Sequence, residues 1–250
     1  MSSNQGVCIV SIAPVRADKN DSSEIVNQLL FGEVITIHEE NYPWVKITSN
    51  SDGYEGFIDN KHVKTLTDKE LRRWQDGLSF LHSREIELST SSGIQRICRG
   101  SFIPEGVSRF NIGNDEFEML SVDAIGYDTP LKYAEDYLNT PYLWGGKSPY
   151  GIDCSGITQI IYRFFSINLP RDANEQVELG IEINFDDIQS GDLAFFENKK
   201  GIIMHVGICD GKGEIIHASG HVRRDTLKKE GIYRADIETI THKLTTIKRM

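Results

Sequence analysis

Apolar and polar residues in the first 66 positions fall into short stretches with turns between them, a pattern that reads as strands. Val34, Ile35 and Ile37 share one stretch; Trp44, Val45 and Ile47 share the next. Asp52-Gly53 is a hairpin-type turn, and Tyr54, Phe57 and Ile58 follow it. Strands this short and closely spaced predict a small barrel. Over residues 68–80 the spacing becomes three and four, with Leu71, Trp74 and Leu78, which predicts a linker helix. Residues 81–125 return to a strand-like texture through Ile86, Leu88, Ile94, Ile97, Phe117, Met119 and Leu120, and predict a second small β-domain.

Near residue 128 the texture changes. Thr129-Pro130 is a helix start, the threonine able to cap and the proline suited to the first turn. Leu131, Ala134 and Leu138 continue it as one apolar stripe. A glycine-bearing loop over residues 142–151 leads to Cys154, after which Ile157, Ile160, Ile161 and Phe164 repeat at helical spacing. Asp172 with Glu175 resembles a capping box and starts a third helix that Gly180 ends. The remainder alternates as strands over 192–196, 204–209, 214–218 and 244–248, with Asp210-Gly211 as a turn. Helices first and antiparallel strands second give an α+β layout. The expected division is 1–66, 67–127 and 128–250.

Composition narrows the function classes. Lys and Arg number 27 and Asp and Glu 37, a formal charge of −10 over 250 residues. That argues against a general nucleic-acid binder, which wants a basic face. No apolar run approaches the ~20 residues that span a bilayer. Residues 2–6 are polar and uncharged, and Val7-Cys8-Ile9-Val10 is too short for a signal-peptide core. The expectation is a cytoplasmic protein, or a periplasmic or secreted one if the natural start was trimmed. The four cysteines, Cys8, Cys98, Cys154 and Cys209, are too scattered for a disulfide framework and fit a reducing compartment.

Cys154 stands in Gly151-Ile152-Asp153-Cys154-Ser155-Gly156 at the start of an amphipathic helix. Free N–H groups and a partial positive charge at a helix N-terminus favour a thiolate, and so a nucleophile. The flanking glycines and polar residues argue against a merely packed cysteine. A cysteine nucleophile needs a base, and the base needs a partner that orients it. His205 lies at the beginning of one strand and His217 at the end of the next. A tight turn between antiparallel strands puts the two imidazoles side by side. A spacing of twelve residues with one distant cysteine is not a zinc pattern, so no metal is expected. Cys8, Cys98 and Cys209 read as structural, and His38, His62, His82, His221 and His242 have no evident partner.

The runs Pro141-Tyr142-Leu143-Trp144-Gly145-Gly146 and Gly151-Ile152-Asp153-Cys154-Ser155-Gly156 resemble the NlpC-type (NlpC/P60) cell-wall cysteine peptidases. So do Leu169-Pro170-Arg171-Asp172 with Gln176, Gly191-Asp192-Leu193, His205-Val206-Gly207-Ile208 and Ile216-His217-Ala218-Ser219. The resemblance spans residues 128–250 and implies a permuted papain-like core. Arg16, Ser23-Glu24-Ile25-Val26, Gln28, Leu30-Phe31-Gly32-Glu33, Trp44 and Asp52-Gly53-Tyr54-Glu55-Gly56 resemble a bacterial SH3-like domain. The implied fold is α+β: a peptidase domain preceded by two small SH3-like β-barrels.

The resemblance implies roles by position. Cys154 is the expected nucleophile, His205 the general base and His217 the residue that orients it. The Cys154 N–H, with Tyr142 nearby, stabilises the oxyanion. Trp144, Asp153 and Ser155 line the substrate site, and Arg171 either braces it or meets a substrate carboxylate. In the γ-D-glutamyl-L-diamino acid endopeptidase subgroup, a carboxylate and a tyrosine of the first SH3-like domain bind a free amino terminus. By position these are Glu24 and Tyr54, with Asp153 assisting and Glu33 as a competing carboxylate. Ala173 stands where relatives offer a hydroxyl. The implied reaction is hydrolysis of the γ-D-glutamyl–diamino acid bond of a murein stem peptide, releasing L-Ala-γ-D-Glu, without a cofactor and suited to murein recycling. A monomer is the expected state. The rival readings are an amidase or acyltransferase on the same core and a non-catalytic wall-binding module.

Overall fold

Burial alternates residue by residue along β2 (Ile12–Arg16) and β5 (Trp44–Ser49), as the polar pattern requires of strands with one covered face. They belong with β1 (Ser2–Cys8), β3 (Ile25–Leu30), β4 (Val34–Asn41), β6 (Glu55–Asp59) and β7 (Val63–Thr67). In the computed structural model, which describes residues 2–121, 123–124 and 126–250, these seven form one antiparallel sheet in the order β3-β2-β6-β5-β4-β1-β7. Cys8, Val15, Leu29, Ile35, Ile47 and Ile58 fill its interior. This is the SH3-like barrel.

Helix α1 (Asp68–Gln75) is capped by Thr67 and Glu70, which satisfy each other's backbone N–H groups. It stops well short of residue 80. Gly77 adopts φ +67° and turns the chain, so Leu78 joins a strand instead of the helix. The following strands are β8 (Leu78–Phe80), β9 (Glu85–Thr90), β10 (Gly93–Cys98), β11 (Phe102–Pro104), β12 (Arg109–Ile112) and β13 (Asp115–Met119). They form a β8–β11 pair and a sheet in the order β10-β9-β13-β12. Leu71 and Trp74 of α1 are buried in a core that joins Phe31 of the barrel to Phe110 and Phe117. The Phe31 ring lies 5.2–6.4 Å from those of Trp74, Phe110 and Phe117. The Trp74 indole donates to the Gly32 carbonyl at 3.0 Å. Far from being a free linker, α1 is part of this core.

The described residues divide into two compact units: Met1–Gly126 with Lys147–Pro149, and Tyr127–Gly146 with Tyr150–Met250. The short strand β14 (Lys147–Ser148) therefore belongs to the first unit. There the Lys147 N–H donates to Gln28 Oε1 at 2.8 Å, and its ammonium lies 3.6 Å from Glu33 Oε2 and 3.8 Å from Asp52 Oδ2.

The second unit opens with α2 (Pro130–Asp136), capped by the Thr129 hydroxyl. Its buried face is Tyr133 and Ala134, continued by Tyr137; Leu138 lies beyond the helix and is only half-buried. A two-residue strand, β15 (Gly151–Ile152), precedes α3 (Cys154–Arg163), every residue of which is buried. Helix α4 (Ala173–Gln176) is a single turn. Asp172 precedes it without a side-chain cap bond, so the expected capping box does not form, and the helix ends four residues before Gly180.

The strands are β16 (Ile181–Glu182), β17 (Leu193–Glu197), β18 (Ile203–Cys209), β19 (Glu214–Ser219), β20 (His221–Lys228), β21 (Gly231–Arg234) and β22 (Thr239–Arg249). Their order is β16-β22-β17-β18-β19-β20-β21, and β21 pairs back onto β22. That last pairing closes the sheet. Phe196, Cys209, Ile215, Leu227, Ile232 and Ile247 make its apolar core. Helix α3 packs on β18 and β19. No helix among the described residues is long and apolar enough to cross a membrane.

Candidate active site

Cys154 is the first residue of α3, and Asp153 is its N-cap. One Asp153 oxygen accepts the Gly156 N–H at 2.7 Å; the other accepts the Gly145 N–H at 2.8 Å. The aspartate thus ties the helix start to the glycine loop before it. A Cβ on Gly156 would lie 2.2 Å from the Gly146 carbonyl oxygen, so the two backbones meet only because this position has no side chain. The Cys154 thiol points at the Met204 carbonyl, 3.9 Å away, one residue before His205.

Strands β18 and β19 are antiparallel neighbours, with Gly207 opposite His217. His205 shares its strand face with Cys209, and His217 shares its own with Ile215, by the two-residue period. Both rings therefore turn to the same side of the sheet, where His205 Nε2 lies 2.8 Å from His217 Nδ1. On the next strand, Asp225 shares a face with Leu227, and its Oδ2 lies 3.0 Å from His217 Nε2. Arg223 donates to Asp225 Oδ1 at 2.8 Å, and its Nε lies 2.7 Å from Oδ2 as an ion pair. The order His205–His217–Asp225–Arg223 is one continuous hydrogen-bonded chain.

This chain fixes the tautomers. A carboxylate only accepts, so His217 Nε2 carries the proton. His217 Nδ1 is then an acceptor, and His205 Nε2 must donate to it. His205 Nδ1 is left with its lone pair and makes no hydrogen bond among the described residues. A free lone pair on an imidazole is what a general base requires.

Burial sets the protonation states. It pushes the Cys154 thiol up to about 12, and the Asp153 charge adds to that. Burial thus opposes the expected thiolate, while the helix N-terminus favours it. Burial also lowers His205 well below the usual imidazole value, with His217 and His242 contributing. His217 is lowered by burial too, although Asp225 opposes the shift. Burial alone would raise the Asp225 carboxyl, but hydrogen bonds from His217 and Arg223 outweigh it and hold it below the ordinary range. Both shifts favour a neutral thiol and a neutral imidazole at rest.

Tyr142 is half-buried, and its phenol is pushed up first by burial and then by the Asp153 charge. Trp144 is exposed. The two readings of Arg171 separate here. It is buried, pairs with Asp153 through both terminal nitrogens at 3.0 and 2.5 Å, and donates to the Ser155 hydroxyl at 2.9 Å. That is bracing, and it leaves Asp153 and Ser155 committed to protein partners. Gln176 adds to it by donating to the Ser155 and Pro170 carbonyls at 3.0 and 2.8 Å. In the first unit Glu24 is exposed just before β3, Tyr54 is half-buried before β6, and Glu33 is fully buried beside Lys147.

Two site residues escape sequence reading. Asp225 lies in a strand that reads as charged, and only its two-residue offset from Leu227 hints at an inward position. His242, without evident partner in the sequence, stacks on His205 with centroids 4.3 Å apart. His38 also has a partner, the Thr48 hydroxyl at 2.6 Å. Among the described residues no group of three or more His, Cys, Asp or Glu side chains could hold a metal ion.

Residues 139–241 match the NlpC/P60 family, and residues 13–64 match the bacterial SH3 domain. Over 219 residues the chain is 31% identical to the gamma-D-glutamyl-L-lysine dipeptidyl-peptidase of Bacillus subtilis (strain 168), spanning 78% of this chain and 72% of the relative. Over 272 residues it is 26% identical to dipeptidyl-peptidase 6 of Lysinibacillus sphaericus, spanning 93% and 96%. The crystal structure of an NlpC/P60 family protein from Bacillus cereus ATCC 10987 shares the fold with a TM-score of 0.81 at 20% identity, over 98% of this chain and 99% of that one.

Proposed function

Because this chain belongs to the NlpC/P60 family, we propose that it cleaves the γ-D-glutamyl–diamino acid bond of murein stem peptides and releases L-Ala-γ-D-Glu. The protein is a cysteine hydrolase that acts on peptidoglycan peptides. What supports the finer reading is Cys154 at the start of α3, its thiol 3.9 Å from the Met204 carbonyl that precedes His205, and an imidazole whose tautomer is set by His217 and Asp225.

The Cys154 proton passes to His205 Nδ1 as Sγ bonds to the γ-carbonyl carbon of D-Glu. The carbonyl oxygen gains the electron pair. The Cys154 N–H, at the first position of α3, has no partner within the helix and is a donor for that oxyanion. Tyr142 is the proposed second donor. The imidazolium of His205 then protonates the departing amine as the C–N bond breaks. Water, deprotonated by the same imidazole, resolves the thioester. His217 and Asp225 stabilise the imidazolium in both half-reactions.

A free amino terminus on the substrate is the proposed specificity, and Glu24 and Tyr54 are its proposed readers. An ammonium withdrawn from water needs an anionic partner. Glu33, the rival carboxylate, is fully buried and held beside Lys147, which favours Glu24. A demand for a free amino terminus selects fragments already cut from the sugar chain, so murein recycling is the proposed role. The test is mass spectrometry of L-Ala-γ-D-Glu-diaminopimelate and L-Ala-γ-D-Glu-L-Lys after incubation with the enzyme, with N-acetylated copies and Cys154→Ala as controls. Dipeptide from the free peptides alone is expected. No dipeptide from either free peptide overturns the substrate reading, and equal cleavage of the acetylated copies removes the role given to Glu24 and Tyr54.

A further inference from the structure

The base His205 is held at one nitrogen by His217. One hydrogen bond does not fix a ring: the imidazole can still tilt about that contact, and a small tilt swings Nδ1 away from the sulfur. Two further rings border it. Phe196 lies 5.8 Å away at an interplanar angle of 46°, and His242 lies parallel within 26° at 4.3 Å between centroids.

The path of β22 at His242 is irregular. On one side the register with β21 shifts, with Ile232 opposite His242 and Tyr233 opposite Ile240, which leaves Thr241 unpaired. On the other side the register with β17 shifts, with Phe195 opposite Thr246 and Phe196 opposite Leu244, which leaves Thr245 unpaired. Bulges of this kind re-aim side chains. Two of them bracket the one ring that lies flat on the base, and Thr241, the residue displaced by the first, has its hydroxyl 2.9 Å from His242 Nδ1.

We propose that His242 is a positioning residue, whose flat ring fixes the plane of His205 so that Nδ1 faces the Cys154 thiol while Nε2 keeps its bond to His217. A stacked partner of a base that becomes cationic must itself stay neutral. The groups that bear on His242 are His205 on β18, His217 on β19, Asp225 on β20 and Arg234 on β21. Burial, with His217 and Arg234, lowers His242 to about 4 against the opposing pull of Asp225. The ring is therefore uncharged at pH 7, and a neutral aromatic face can lie against an imidazolium.

The inference rests on Cys154 as the nucleophile but not on the identity of the peptide. Its test is the rate at which iodoacetamide alkylates Cys154 at pH 7, a reaction that needs proton transfer to His205 and no substrate. Cys8, Cys98 and Cys209 are fully buried, so Cys154→Ala gives the background. His242→Ala is expected to slow alkylation about tenfold, as a misaimed base does. With the stem peptide, kcat is expected to fall by the same factor while KM stays within about twofold. His242→Phe, which keeps a flat ring, is expected to recover most of both rates. If His242→Ala does not fold, His242→Gln replaces it, with similar bulk and no ring. Wild-type alkylation in His242→Ala or His242→Gln overturns the proposal, and so does a His242→Phe enzyme as slow as either. A wild-type enzyme that alkylates fast but leaves the stem peptides intact refutes the substrate reading and leaves the alkylation comparison decisive.

Discussion

His217 Nδ1 lies 2.8 Å from His205 Nε2, and both nitrogens can hold that distance only if one of them carries a proton and the other does not. The Asp225 carboxylate on the far side of His217 decides which. The third member of the site therefore does more than steady a ring. It passes the preference of a carboxylate through one imidazole to another, and leaves the lone pair of His205 on the side where the thiol must give up its proton.

Removing that acceptor should cripple the base without removing it. His217→Ala lets His205 choose either tautomer and rotate, and kcat should fall by about 10²-fold, within the range of a lost general base. His217→Asn keeps an acceptor for His205 and a donor for Asp225, and should recover a large part of the loss. Steady-state kinetics of the two variants decide the matter. Equal activity in His217→Ala and the parent enzyme would show the imidazole pair to be incidental.

Asp225→Asn should be harmful although it is nearly isosteric. Arg223 donates to one carboxylate oxygen and His217 to the other, so an amide in that place must turn its NH2 either toward Arg223 or toward His217. Turned toward His217, it demands an acceptor there, reverses both tautomers and leaves His205 with a proton facing the thiol. The lost charge also removes what raises the His217 pKa. The expected result is a fall in kcat of roughly 10–100-fold. The acid limb of kcat/KM should move to lower pH, because an imidazole without its carboxylate binds a proton less well. A limb that moves upward contradicts this electrostatic role.

Cys154, His205 and His217 were legible because each sits in a short run with a strong local signature: glycines and polar residues around the cysteine, and alternating apolar residues around the histidines. Asp225 and His242 were not. The strand His221–Lys228 carries His221, Arg223, Arg224, Asp225 and Lys228 and reads as exposed. It acquires an inside only when β21 pairs back onto β22 and closes the sheet, a long-range event with no local trace. His242 depends on two register shifts that no alternation rule anticipates. In the first part of the chain the barrel strands followed from alternation. Leu78 fits the helical spacing of Leu71 and Trp74, yet Gly77 breaks the helix first. Arg171 could not be placed by spacing, since a buried arginine is explained only by the carboxylate it meets.

The Arg171–Asp153 pair should be costly to break and cheap to remove whole. Both side chains are almost fully buried. Arg171→Met leaves a buried carboxylate without its cation and should cost about 3–5 kcal/mol. Arg171→Lys keeps a charge but loses the two-pronged contact, and should fall between Arg171→Met and the parent. The double variant Asp153→Asn with Arg171→Met should regain part of the loss, since no charge is then stranded. Urea unfolding of the four proteins reads these differences. An Arg171→Met protein as stable as the parent would mean that water reaches Asp153.

Acid should weaken the fold well before it protonates carboxylates. His205 and His217 are held below the ordinary imidazole value of about 6.5 by burial. In the unfolded chain the same groups take up protons as the pH drops through about 6.5. Below that point the unfolded state binds more protons than the folded one, so stability falls as the pH is lowered toward the depressed folded values. Each unit of depression removes about 1.4 kcal/mol once the pH is below both values. Asp225 acts in a different window. Its folded value is lowered, so its contribution is complete above the unfolded value of about 3.8 and is lost only in stronger acid. The stability measured between pH 7 and pH 5 should thus decline for the parent protein, and His205→Asn should flatten that decline even though its stability at pH 7 is lower. His217, His242, His62 and His82, also lowered by burial, supply the slope that remains. A parent protein equally stable at pH 7 and pH 5 would show that the imidazoles of the site are open to water, and the neutral thiol–imidazole resting state would have to be abandoned with them.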